Sequence, residues 1–224
     1  MKNIENKKVK KIMLESSKFK EYKLFDNVNI SVVGVSTLNF KNIRKFILTN
    51  LNKNLFKNID VIYLYDLKNP EVKAYYENGM IVVNLPLVKD DKDFIKTVLH
   101  ESIHSIMAEI RQLDLISLVT EEYLRKRGKV LNKLLSYNNS DPKFNSNYSN
   151  IEYDEEFESY LKDKITYQIV YPISYIYFPS PYAISSLNEY LCIGFEIYFL
   201  ENKSWLQEFC PELYKLIEVV AGGI

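Results

Sequence analysis

Histidine is the scarcest informative residue in this chain of 224: there are two, against 18 tyrosines and 12 phenylalanines. A metal centre built from three imidazoles is therefore excluded. Cysteine is as rare, with Cys192 and Cys210 able to form one disulfide or to stay as two buried thiols, and the sequence assigns neither a role. Net charge is missing too. Lys+Arg and Asp+Glu both number 29, so no overall field favours nucleic acid or an anionic membrane. The basic cluster Lys7, Lys8, Lys10 and Lys11 reads as a solvated face rather than a binding patch. No apolar run approaches the roughly 20 residues needed to cross a bilayer. The first 30 residues also lack the apolar core of a secretory signal. These absences predict a soluble chain with neither a nucleic-acid nor a membrane partner, cytoplasmic as written and secreted if a signal was removed. They leave the oligomeric state open.

What is present is a globular composition, 47% hydrophobic and 26% charged. The length suits one domain with an arm: a basic helical arm over 1–27 and a domain over 28–224. Along the chain, apolar spacing predicts an amphipathic helix over 3–23, a strand over 28–35 and a helix over 41–57. The runs 60–65 and 80–85 read as strands, the second preceded by the turn Asn78-Gly79 and stopped by Pro86. Asp90 or Asp91 can cap a helix over 92–111, with Ile95, Leu99, Ile103, Ile106 and Ile110 as its apolar stripe. Helices are further expected over 115–126, 130–135 and 154–165, with Gly128 between the first two. Residues 137–150 have loop chemistry, and 167–182, broken by three prolines, read as extended or irregular. Ser185 or Ser186 can cap a helix over 187–200, and Pro211 opens a last one ending near Gly222. Strands first and helices later make the fold class α+β.

Both histidines fall in one stretch, Thr97-Val98-Leu99-His100-Glu101-Ser102-Ile103-His104. Four residues apart on a helix, His100 and His104 project from one face and can reach a single zinc ion. Glu101 lies beside them and can act as general base on a water at that ion. This His-Glu-x-x-His spacing is the zinc-peptidase signature. A catalytic zinc takes three protein ligands and keeps a position for water, so the third must come from elsewhere. A carboxylate on a later helix is the natural supplier, with a tyrosine or a thiolate as lesser alternatives. Glu189 and Glu196 are the candidates on the expected helix 187–200.

The segment Pro181-Tyr182-Ala183-Ile184-Ser185-Ser186-Leu187-Asn188-Glu189 resembles that of the anthrax lethal factor and Pro-Pro endopeptidase group of zinc metallopeptidases. There a tyrosine lies seven residues before the glutamate ligand, and a strand like 80–85 and a short loop precede the signature helix. The resemblance implies a zincin-like fold: a small sheet with an edge strand above the signature helix, and a mainly helical C-terminal part. It implies one zinc per chain held by His100, His104 and Glu189, with Glu101 as base and Tyr182 as the catalytic tyrosine. It further implies a gluzincin-type endopeptidase, toxin-like in kind. Its peptide or protein substrate would pair along the edge of Met80–Leu85. The long gap from His104 to Glu189 implies an insertion within 137–180. Two positions depart from the group's pattern: Ile193 stands where the group tends to keep an acid, and Ser102-Ile103 fills the signature. Two alternatives accompany this reading, a cytoplasmic regulatory zinc protease and a non-catalytic binding domain of the same fold.

Overall fold

A computed structural model describes residues 19–138 and 149–222. It divides the chain into two compact units, Met1–Ser105 and Ile106–Ile224. The class is α+β, the strands gathered in the first unit and helices making up the second.

The first unit holds a mixed sheet of β1 (Phe19–Lys23), β2 (Asn29–Val33), β3 (Val61–Tyr65), β4 (Ala74–Glu77) and β5 (Met80–Asn84). Their order is β1-β2-β3-β5-β4. β2, β3 and β5 run parallel, while β1 and β4 close the two sides antiparallel. A parallel pair needs a crossover, and α1 (Phe40–Asn50) supplies it between β2 and β3, burying Ile43 and Ile47. The predicted helix over 41–57 is interrupted because the Asn52 side chain accepts from the Asn54 N–H and starts a separate 3-10 turn, Lys53–Phe56.

Asn78 and Gly79 join β4 to β5, and both have positive φ, 48° and 81°. That is the backbone of a two-residue hairpin whose twist matches the strands. A Cβ on Gly79 would lie 2.4 Å from Asp60 Oδ2, so the position also demands the missing side chain. The hairpin corrects the edge-strand expectation. Met80–Leu85 is not an edge: β5 is flanked by β3 and β4, and every residue from Met80 to Asn84 is buried. A continuous apolar run is what a strand covered on both faces requires. The edge on this side of the sheet is β4, whose Ala-Tyr-Tyr-Glu sequence carries no clear alternation and whose residues are all half-buried. A second correction concerns the arm. Phe19–Lys23 is a strand paired with β2, Tyr22 stacking on Phe40 at 4.3 Å, rather than the end of a helix over 3–23. The rest of that helix lies outside the described residues. The first unit ends with α2 (Asp91–Ser105), which packs against β4 and β5.

The second unit comprises α3 (Met107–Ile110), α4 (Ile116–Asn138), α5 (Glu155–Ser159), α6 (Tyr167–Ser174), α7 (Leu187–Leu200), α8 (Lys203–Phe209) and α9 (Pro211–Gly222). A π-helical turn, Tyr160–Thr166, links α5 to α6, and a 3-10 turn, Pro181–Ile184, precedes α7. Gly128 does not divide α4, because Tyr123, Val130, Leu131 and Leu134 bury one side of it on both sides of the glycine. Tertiary burial outweighs the roughly 1 kcal/mol that a mid-helix glycine costs. Residues 167–174 are helical despite Pro172, since Val170 and Ser174 are drawn into the interior. Residues 139–148 of the predicted loop lie outside the described residues.

α7 and α9 approach through Gly194, where a Cβ would come within 2.6 Å of Leu213 Cδ2. Beside this contact runs a buried polar network. Lys126 Nζ donates to Tyr190 Oη and to Cys210 Sγ, both at 2.9 Å, and Tyr190 Oη donates to Glu122 Oε1 at 2.6 Å. Cys192 and Cys210 are both buried thiols and form no disulfide. No helix among the described residues is long and apolar enough to cross a membrane.

Candidate metal centre

α2 is fixed at its start by acids. Asp90 Oδ1 accepts from the Asp93 N–H at 2.8 Å, a helix cap of the kind worth about 1 kcal/mol. Asp93 reaches back with Oδ2 to the Lys89 N–H at 3.0 Å, and its Oδ1 accepts from Lys73 Nζ at 2.5 Å. Burial opposes ionisation of Asp93, yet the Lys73 and Lys89 bonds hold its carboxyl below the usual range. Phe94, Val98, Leu99 and Ile103 are fully buried, and all five members of the predicted stripe lie in the interior. The helix stops at Ser105, earlier than predicted, with Ile106 capping the short α3.

With that face inward, the signature occupies the neighbouring one. Glu101 is buried, and His100 and His104 are half-buried. Their Nε2 atoms lie 3.2 Å apart and the rings meet at 64°. Two imidazoles on one tetrahedral ion, each about 2.05 Å from it, place their nitrogens about 3.3 Å apart. The pair therefore has the bite of a metal-binding pair. His100 and His104 are thus two members of a possible metal-holding group.

No family model, no curated protein and no solved structure matches this chain.

The second unit carries the other sequence candidates. Ser186 Oγ accepts from the Glu189 N–H at 3.2 Å and caps α7, which puts Glu189 in the helix's first turn. Glu189, Cys192 and Glu196 are all buried on this helix. Tyr182 lies half-buried on the 3-10 turn just before it. That turn is tied down at three points. Ser180 Oγ accepts from the Tyr182 N–H, Ser185 Oγ donates to the Tyr182 carbonyl at 2.7 Å, and Tyr123 Oη donates to the Ile184 carbonyl at 2.8 Å. The link from Tyr182 to Glu189 is thus one short, braced segment.

Sequence reasoning missed the groups around this segment. Tyr167 Oη donates to Glu158 Oε1, and both residues stand in the electrostatic field of the pair. Burial raises the Glu158 carboxyl; the Tyr167 bond opposes the rise and the Glu189 charge adds to it. Burial likewise raises the Tyr167 and Tyr153 phenols, with Glu158 adding to both and Glu189 to Tyr153. Nothing in the local pattern of Tyr153, Glu158 or Tyr167 marks them, because the nearness of Tyr153 and Glu158 to Glu189, and of Tyr167 to Tyr182, arises only in the folded chain.

Proposed function

We propose that this protein is a zinc-dependent endopeptidase of zincin-like fold. The observation that carries the reading is the 3.2 Å separation of His100 Nε2 and His104 Nε2, on a helix whose other face is locked into the core. Imidazole nitrogen suits zinc, and the donor set fits an open three-ligand site. His100 and His104 would hold the ion with a third ligand from α7, for which the resemblance favours Glu189. Cys192, a buried thiol on the same helix, is the competing donor. Bound there, zinc supplies a Lewis acid and lowers the pKa of water.

The remaining chemistry belongs to the chain. Glu101, buried and adjacent in sequence to His100, takes the proton of the attacking water and passes it to the leaving amine. Tyr182 donates a hydrogen bond to the oxygen on which charge develops. An extended peptide pairs with β4, the sheet edge packed against the signature helix, by backbone bonds that ask for no particular sequence. Elemental analysis of protein purified without chelator is the test. About one zinc per chain is expected; no bound zinc and no uptake on titration at neutral pH would reject the reading.

A further inference from the structure

We propose that Lys126 and Cys210 are a redox-modification site: dioxygen closes them into a covalent N–O–S bridge that locks α4 to the junction of α8 and α9. Neither residue belongs to the candidate metal centre. Lys126 Nζ lies 2.9 Å from Cys210 Sγ. That is the ordinary length of a hydrogen bond to oxygen, and sulfur is the larger atom, so the two are closer than a bond to sulfur requires. A single oxygen between nitrogen and sulfur spans nearly the same gap, so bridging asks little movement of either side chain.

Both partners are held in place. Cys210 ends α8 and leads into α9: its N–H donates to the Leu206 carbonyl at 2.7 Å, and its carbonyl accepts from the Tyr214 N–H at 2.8 Å. Lys126 is gripped on its other sides by Tyr190 Oη at 2.9 Å and Glu122 Oε1 at 3.4 Å. Glu122 is itself fixed, accepting from Tyr190 Oη at 2.6 Å and from the Glu212 N–H at 3.0 Å. None of the four residues is more than 3% exposed. Such a place excludes water and hydrated oxidants, whereas dioxygen is small and apolar enough to enter a packed interior.

The chemistry balances within the cluster. Lys126 first gives one proton of its ammonium to Glu122, the carboxylate paired with it. The amine, the thiol and one dioxygen then yield the bridge and one water. One N–H, the S–H and the O–O bond break, N–O and O–S bonds form, and the second oxygen leaves with the two hydrogens. Nitrogen and sulfur give up two electrons each, and dioxygen takes all four. The step removes a buried ammonium and a buried carboxylate together, so no unpaired charge is left inside. A cysteine without an amine beside it would climb instead to sulfenic and sulfinic acids.

The full chain, purified without oxygen and divided between air-saturated and anaerobic buffer, is compared by mass spectrometry and by melting temperature. The aerated chain should gain a species about 14 Da heavier, one oxygen more and two hydrogens fewer. Its digest should join the Lys126 peptide to the Cys210 peptide, and dithiothreitol should restore the parent mass. The bridged residues are 84 apart in the chain, so the bridged form should melt higher than the reduced form by about 10 °C. Cys210→Ser should gain no such species, and Cys192→Ser should gain it as the parent does. An unchanged mass on aeration overturns the proposal. So does a gain of about 16 or 32 Da alone, which is sulfur oxidised without the amine, or a loss of about 2 Da, which is a disulfide or a direct S–N bond. A bridged species that persists in Cys210→Ser, or that melts no higher than the reduced chain, overturns it as well.

Discussion

Lys73 Nζ meets Asp93 Oδ1 at 2.5 Å, tying the residue before the edge strand β4 to the first turn of the signature helix α2. The folded carboxyl titrates below its ordinary value, so the unfolded chain takes up a proton first as pH falls. The contribution is therefore fully present above about pH 4, the ordinary aspartate value, and is lost as pH drops through the lower folded value. Asp93→Asn should be less stable than the parent at pH 7 by about 1 kcal/mol, the scale of a partly exposed pair. That gap should close on acidification. Urea unfolding at several pH values checks it, and a gap independent of pH would remove the ion pair as its cause.

Glu101→Ala should abolish peptide cleavage while zinc stays bound, because the general base does not coordinate the metal. The comparison is turnover on a cleavable peptide at equal zinc occupancy. Acid–base groups supply about 10²–10⁴-fold, so activity retained within about tenfold of the parent would rule Glu101 out as the base.

The third ligand is decided by comparing Glu189→Ala, Cys192→Ser and Glu196→Ala, all buried on α7. Glu189→Ala should lose zinc, and the other two should keep it. Release by Cys192→Ser with retention by Glu189→Ala would make the thiol the ligand. Release by Glu196→Ala alone would break the pairing of Tyr182 with Glu189. Zinc content after dialysis, with the fold of each variant checked by circular dichroism, gives the answer.

Gly79→Ala should destabilise the first unit. The position has φ of 81°, where an L side chain costs about 1–2 kcal/mol, and the added Cβ would meet Asp60 Oδ2 at 2.4 Å. Hydrogen exchange should show faster opening of β4 and β5 than in the parent. Unchanged exchange there would contradict the strain argument.

Local pattern alone fixed a good part of this protein. α7 runs over Leu187–Leu200, as Ser186 and its apolar run require, and α9 begins at Pro211. The inward stripe of α2 follows from spacing, and so does the sharing of one helix face by His100 and His104. Capping, period and helix geometry act within a few residues, so the sequence states them directly.

Other features depended on partners far along the chain. Whether β5 or β4 forms the edge is a matter of which strand pairs with which, and an apolar run does not name its neighbours. Pro172 stands in a helix and Gly128 interrupts none because burial of their neighbours outweighs local propensity. Arg111 Nη2 donates to Asn188 Oδ1 from 77 residues away, and Glu158 meets Tyr167 across a π-helical turn. An exposed arginine or a half-buried tyrosine carries no local sign of its partner. Its role is set by packing that brings distant polar groups within hydrogen-bond reach, where desolvation makes each unpaired group costly.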